Sequence, residues 1–330
     1  MKPATSIVVG EALAAAVMAP SPHNTQPWRF AVDGTRIEVR LDRDRVLTVA
    51  DPEAHQARMA CGAAVLNLAV SLRCQGFEPR IRLLPDAGEP DLLALVTHDG
   101  NHRVSAEDRV LAEAIFRRQT HRRPFLDQAV PTRVRALLTS AASHEGAALR
   151  VLDTEYTQVT TLVRRAEFVQ ANDDAFRAES ARWTRRQLAS PDGVPAAAAG
   201  PRPDHEGVIA LRESHLDPGL PERLYERQPL LAVVLTRDAG AAADLRAGQA
   251  MQRVLLAATS SHVAASFLSQ PFEVASTLAR LTELFHPLGH PHTLLRLGYG
   301  YSAVARTGRR PVQEVLGPGA GDSGAERKAR

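Results

Sequence analysis

The pattern of apolar and polar positions divides the chain into two runs of elements that follow the same order. An apolar, alanine-rich run over residues 6–19 predicts a first helix. A turn-rich passage follows, Ala19-Pro20-Ser21-Pro22-His23-Asn24-Thr25-Gln26-Pro27-Trp28, whose prolines exclude helix and stiffen the backbone. Residues 29–31 and 37–41 alternate in the manner of half-buried strands, with Asp33-Gly34 between them as a hairpin-turn signal. Ala60, Ala64, Leu68 and Leu72 recur at four-residue steps and predict a helix over residues 55–75, stopped by Gly76. Short strands are expected at 80–84 and 92–96, which closes a first α+β unit near residue 100.

The second run opens with a helix over 107–117, a break at 118–124 and a helix started by Val130-Pro131-Thr132. Strands are expected at 149–152 and 230–236, then a long helix over 244–268 and a last strand over 293–299. Setting Gly62 beside Gly248 aligns the two long helices, with Ala64 over Ala250, Val65 over Met251 and Leu68 over Val254. Residue identity is weak, so the repeat rests equally on the order of elements. A polar stretch over 168–226 is broken by Pro191-Asp192-Gly193-Val194-Pro195, an alanine run and Gly200-Pro201-Arg202-Pro203. It cannot build its own core and reads as a lid, an arm or a disordered loop. Residues 317–330, rich in glycine and charge, read as a frayed tail.

Composition narrows the classes. The 330 residues are 44% apolar and 23% charged, which excludes wholesale disorder. Forty Lys and Arg against 37 Asp and Glu leave a formal charge of +3, too little for binding nucleic acid over the whole surface, so any anion site is local. Trp183 beside Arg182, Arg185 and Arg186 fits nucleic-acid stacking or, more ordinarily, a helix surface. Cys61 and Cys74 cannot form a disulfide framework and read as small buried residues in a reducing compartment. No stretch reaches the roughly 18 uninterrupted apolar residues of a membrane span, and Glu11 inside the apolar run argues against export, so a cytoplasmic protein is expected. Prolines between His286, His290 and His292 deny them a shared helix face, and no metal site is expected. There is no Gly-x-Gly-x-x-Gly after a strand, so a dinucleotide would bind only as a passing substrate, and no Gly-x-Ser-x-Gly elbow.

Three segments carry candidate chemistry. Pro124 biases Arg123 away from helix, so residues 118–122 read as extended, with Arg118, Thr120 and Arg122 on one face. Two guanidinium forks flanking a hydroxyl can converge on one phosphate, although the same charges also suit a solvated helix end. Arg306-Thr307-Gly308-Arg309-Arg310-Pro311 follows the last strand and reads either as an anion site or as an exposed loop. Ser21, His23, Asn24 and Gln26 offer hydroxyl, imidazole and amide groups beside Trp28, either for a ligand or as a turn capping the sheet.

Together these segments resemble the nitroreductase family of flavoproteins, in which an Arg-x-Ser-x-Arg segment precedes a helix and Ala-Pro-Ser-x-x-Asn-x-Gln-Pro-Trp follows it. The likeness runs from Val9 to Leu316 and is to the Acg-like branch, where one chain carries two nitroreductase-like halves. Ala19-Pro20-Ser21, Asn24 and Gln26-Pro27-Trp28 all fit, Thr120 replaces the serine, and the two motifs stand in reverse order. The resemblance implies an α+β tandem pseudo-dimer. Residues 1–100 would form the half with the loop, and 101–316 the half with the arginines and a lid insertion at 168–226, ahead of a flexible tail at 317–330. The first half starts too late to carry the arginine segment, and the second shows only Ser140-Ala141-Ala142-Ser143-His144-Glu145 where the loop should be. One complete FMN site across an internal interface, in a monomer, is the expectation.

By match, Arg118, Thr120 and Arg122, with Gly308, Arg309 and Arg310, would hold the phosphate. Ser21, Pro22, His23, Asn24 and Gln26 would lie along the ribityl chain and ring edge. The resemblance gives the hydride chemistry to the flavin, names no catalytic acid or base, and implies NAD(P)H and a nitro compound or quinone as partners. A permanently closed lid would instead make the protein an FMN store.

Overall fold

The computed structural model describes residues 3–185, 190–203, 212, 216–217, 219–226, 229–300 and 305–317. Most of the expected tail lies outside them. The first run contains α1 (Pro3–Ala16), β1 (Trp28–Asp33), β2 (Arg36–Leu41), α2 (His55–Cys74), β3 (Phe77–Leu83) and β4 (Leu92–Asn101), and α3 (Ala106–Arg117) opens the second. The second contains α4 (Thr132–His144), β5 (Ala148–Val151), α5 (Tyr156–Ala171), α6 (Asp174–Arg182), β6 (Thr184–Arg185), β7 (Val194–Pro195) and β8 (Leu230–Thr236). It continues with α7 (Ala241–Ser260), β9 (Ala264–Phe267), α8 (Gln270–Glu273), α9 (Ala275–Phe285), β10 (His290–Gly298) and α10 (Val312–Val315). The fold is α+β, with two antiparallel four-stranded sheets ordered β1-β2-β4-β3 and β5-β8-β10-β9. These orders are the same topology traced twice.

Two expectations need correction. The first helix ends at Ala16, not 19. The helix expected through 268 stops at Ser260, because His262 takes a left-handed φ of 59° and turns the chain back. Ala264–Phe267 then pairs with β10 as an edge strand. An Ala-Ala-Ser-Phe strand has no β-branched residue, and its composition continues the helical pattern without a break. Helices α5 and α9 were not anticipated either.

The two sheets flank a central pair of helices, α2 and α7, whose side chains share one apolar core with β1, β2, β4, β8 and β10. The pair crosses at its glycines. A Cβ on Gly62 would stand 2.2 Å from the Leu245 carbonyl oxygen, and one on Gly248 would stand 2.0 Å from the Met59 carbonyl oxygen. Met59 and Leu245 each lie three residues before their own glycine, so the contact is reciprocal about a pseudo-twofold axis, in the register the sequence alignment set. Among the described residues α2 is long and apolar enough to cross a membrane, and 78% of its apolar window is buried inside the protein. Cys61 and Cys74 both sit on it as free thiols; Cys61 is buried and Cys74 only partly so.

Candidate functional site

The loop between α1 and β1 is held in a strained form. His23, Asn24 and Gln26 all have left-handed φ, at 46°, 58° and 55°, a region that residues with a Cβ seldom occupy. Hydrogen bonds maintain it. The Gln26 amide N–H donates to Ser21 Oγ at 2.9 Å. The Gln26 side chain donates to the carbonyls of Pro191 (2.7 Å) and Asn24 (3.3 Å) and accepts from the Arg310 N–H at 2.8 Å. Asn24 Nδ2 donates to the carbonyls of Gly193 (3.0 Å) and Gly308 (3.1 Å). The loop is therefore tied to two segments remote in sequence.

Residues 118–122 are extended, as Pro124 predicts. Thr120 bridges in parallel to Ala265 on the edge strand β9, and the His121 N–H donates to the Ala265 carbonyl at 2.8 Å. Arg118, Thr120 and Arg122 all line one cavity, while His121 stacks on Phe125 at 5.3 Å. Below them, buried Arg296 lies 3.9 Å over the Phe125 ring and pairs with Glu226, whose other oxygen accepts from the Phe125 N–H. That network fixes the arginine segment to the second sheet.

The cavity encloses about 1160 Å³, counting its mouth open to solvent. Ser21, Pro22, His23 and Asn24 form one wall, and Arg118, Thr120, Arg122, Thr307 and Arg309 form one end. Met59, Ala60, Met251, Phe267, Leu216 and Phe272 make the rest largely apolar. Arg118 and Arg309 donate weakly to the Met18 carbonyl, at 3.5 and 3.3 Å, and Arg122 to the Ala198 carbonyl at 3.4 Å. The buried Nε atoms of Arg118 and Arg309 have no partner among the described residues. Burial, and then the charges of Arg309, Arg122 and Arg306, push Arg118 down to about 9. Burial lowers Arg122 to about 10, and burial followed by the Arg122 charge does the same to Arg309. Among the described residues no acidic group contributes to any of these shifts. A guanidinium keeps its proton at neutral pH, so three crowded, desolvated cations call for a bound anion rather than for proton loss. Burial and the charges of Arg212 and Arg122 outweigh Glu273 and lower His23 to about 3, so its imidazole is neutral.

Comparison with known proteins places this arrangement. No protein-family model matches the chain. It is 32% identical over 324 residues to "Putative NAD(P)H nitroreductase Rv3131" of Mycobacterium tuberculosis, covering 92% of this chain and 89% of that protein. The chain belongs to the nitroreductase family. A second M. tuberculosis relative, "Putative NAD(P)H nitroreductase acg", is 27% identical over 319 residues, covering 94% of this chain and 96% of the relative. Among solved structures, FMN-bound nitroreductases of Bacteroides fragilis and Desulfitobacterium hafniense each overlap 61% of this chain, and 93% and 94% of their own lengths. Their identities are 17% and 16% and their TM-scores 0.38 and 0.40, likenesses too loose to bear on the chemistry of this site.

Not every residue singled out from the nitroreductase motifs lines the cavity. Gln26 is fully buried behind the loop it braces. Gly308 gives room for the chain at Ser190, whose carbonyl oxygen a Cβ would meet at 2.1 Å. The Arg310 side chain turns to the Glu314 carboxylate (3.4 Å) and carbonyl (2.9 Å) on α10. None of these three is among the residues that line the cavity. Conversely, Gln56, Met59, Ala60 and Met251 around the helix crossing, residues 266–270 of β9 and its exit, and His292 line the cavity without having been anticipated. The readable signal was the aligned glycines: what flanks a pseudo-twofold crossing also flanks a cleft between halves.

The described residues of the stretch over 168–226 are fastened to both runs. From α6, Glu179 accepts from Thr48 Oγ1 and from the N–H groups of Val49 and Ala50, at 2.9–3.2 Å. Asp192 pairs with Arg45 at 3.1 Å, and the Arg45 guanidinium lies 5.7 Å over Trp183, which is the packing role of that tryptophan. Arg212 pairs with buried Glu273 at 2.6 Å, and Tyr225 donates to the carbonyls of Arg122 and Pro201.

Proposed function

We propose that the chain is an FMN-dependent oxidoreductase of the nitroreductase type, using NAD(P)H to reduce a nitro compound or quinone. Three guanidinium groups, Arg118 buried and Arg122 and Arg309 half-buried, carry this reading: they gather at one end of a largely apolar cavity with no counter-charge among the described residues. A phosphomonoester dianion fits that end, with Arg118, Arg122, Arg309 and the Thr120 and Thr307 hydroxyls to hold it. Ser21, Pro22 and neutral His23 would border the rest of the cofactor, with the apolar wall at Met59, Ala60 and Met251 facing its ring system. When bound, the flavin supplies the acceptance and donation of hydride. The side chains bind, orient and exclude water. The NAD(P)H in the names of the M. tuberculosis relatives supports the electron donor. The paired loop and arginine segment support one site per chain, in a cytoplasmic monomer whose halves are residues 1–100 and 101–316.

The fastening of the described residues between 190 and 226, with Arg212 and Leu216 lining the cavity, favours a second reading, an FMN store with little turnover. One experiment separates the outcomes. Apoprotein titrated with FMN should take up close to one equivalent. Arg118→Ala/Arg122→Ala should lose affinity by about 100-fold or more, since each charge-assisted contact is worth about 1.5–3 kcal/mol. Undiminished affinity overturns the phosphate assignment. Anaerobic bleaching of the wild-type flavin by NADH or NADPH, reversed by a nitroaromatic, supports the reductase; no bleaching by either supports the store.

A further inference from the structure

Asn24 belongs to the loop that the family motif places along the cofactor, and it lines the cavity, yet its side chain is already engaged. Nδ2 uses both of its hydrogens on the Gly193 and Gly308 carbonyls. Oδ1 accepts from Arg309 Nη1 at 3.0 Å. The orientation of the amide is forced: carbonyls only accept and a guanidinium only donates, so the opposite orientation would set like against like on every side. An amide has two N–H groups, and no donor remains for a ligand.

Arg309 is the member of the arginine group whose aim depends most on its neighbours. Its Nη1 is gathered by Asn24 Oδ1, Thr307 Oγ1 (2.8 Å) and the Gly308 carbonyl (2.8 Å). Its Nη2 reaches the Met18 carbonyl, and its buried Nε has no partner among the described residues. Asn24 holds one face of this fork. The same amide holds Gly193 on the segment crossing between the runs and Gly308 next to Arg309. It thus joins the loop, the crossing segment and the arginine.

We propose that Asn24 is a positioning residue that aims Arg309 at the phosphate end of the cavity and donates no hydrogen bond to the ribityl chain or ring. The inference rests on the flavin reading above. It departs from the assignment of Asn24 by motif, because the geometry gives both of its N–H groups, and one bond to its oxygen, to the protein. It also gives the left-handed backbone at Asn24 a use: that strain places the amide between three segments, and Asn tolerates it better than other residues with a Cβ.

The test uses full-length apoprotein and two probes, FMN and riboflavin, which differ only in the phosphate. Asn24→Gly removes the amide while accepting the left-handed backbone. Expected is a fall in FMN affinity of about 10- to 100-fold, the range of one charge-assisted contact, with riboflavin affinity within about threefold of wild type. A double-mutant cycle supplies the second readout. In an Arg309→Ala background, Asn24→Gly should cost less than about threefold in FMN affinity, whereas in an Arg118→Ala background it should cost its full factor. Equal losses for FMN and riboflavin, full additivity with Arg309→Ala, or no loss at all would each overturn the proposal. If Asn24→Gly does not fold, Asn24→Asp carries the same comparison. It keeps an acceptor for Arg309 but neutralises that charge, so FMN must lose affinity and riboflavin must not. Failure of the wild-type protein to bind FMN would sink the flavin reading, and this one with it; binding with the wrong cycle sinks this one alone.

Discussion

Strands β2 and β8 hold the same place in their sheets and read differently in sequence. Arg36-Ile37-Glu38-Val39-Arg40-Leu41 alternates, and its outer face is a ladder in which Arg36 and Arg40 cover Glu38. Leu230-Leu231-Ala232-Val233-Val234-Leu235 is apolar throughout, because α5 and α9 cover the outer face that the first sheet leaves open. The covering helices come from lengthened connections. Where β1 and β2 are joined by a two-residue turn at 34–35, β5 and β8 are joined through residues 152–229; where β3 and β4 are joined through 84–91, β9 and β10 are joined through 268–289. The α–β corner runs the other way. It is long at 17–27 in the first run, and in the second only 145–147, where Arg253 grips Glu145 at 2.6 Å. The scaffold repeats, and the cavity is built from what does not.

If the repeated part is the joint of the molecule, its glycines should be the most costly positions to change. Gly248→Ala puts a methyl group 2.0 Å from a backbone oxygen of Met59, and no flexible side chain lies there to move aside. The expected loss is about 3 kcal/mol or more in urea unfolding. Gly62→Ala should match it within about 1 kcal/mol, since the crossing is reciprocal. A large effect at one glycine and none at the other would break the pseudo-twofold description.

A smaller effect tests whether the long β5–β8 connection is part of both halves. Glu179→Gln replaces a carboxylate that receives three donors by an amide that must turn one of its own N–H groups toward them. About 1–3 kcal/mol of stability should be lost, with faster amide exchange at Val49 and Ala50. The exposed Glu222→Gln serves as the control. If the two variants behave alike, the connection merely lies on the first run.

The outcome also bears on what the chain discloses before it folds. The loop over residues 19–28 was legible because proline and tryptophan constrain it locally, and the arginine face because Pro124 fixes an extended backbone. Strand β9 was not, since Ala-Ala-Ser-Phe is ordinary helical composition and becomes a strand only by pairing with β10. The docking of α6 was equally hidden: one glutamate among 37 acidic residues says nothing until Val49 and Ala50 are folded beneath it. That Gln26, Gly308 and Arg310 stand outside the cavity lining has a related reason. A motif records that a residue is needed at a site without recording whether it touches the ligand or the loop that does.

The smallest expected effect lies on the central helices, where the repeat admits an asymmetry. Arg58 and Asp244 stand four residues before their respective glycines, and they pair at 2.7 Å. Two identical subunits would set the same residue at both positions; a tandem chain can set a cation against an anion. Burial alone would raise the Asp244 carboxyl, but hydrogen bonds from His292 and His55 and the Arg58 charge outweigh it and hold the carboxyl well below its usual range. His55, bonded to Asp244 at 3.1 Å, is raised by that contact. The signs then follow by linkage. The Asp244 contribution is complete above an unfolded carboxylate value of about 4 and fades as pH falls below it. The His55 contribution is complete below about 6.5 and fades as pH rises through its elevated folded value. Because the His55 side chain is 50% exposed, solvent screens it, and less than about 1 kcal/mol is at stake. Urea midpoints between pH 6 and 8 should decline slightly for the wild type and lose that His55-dependent decline in His55→Gln. An identical slope in both would mean that the pair beside the crossing is completed by Arg58 and His292 without His55.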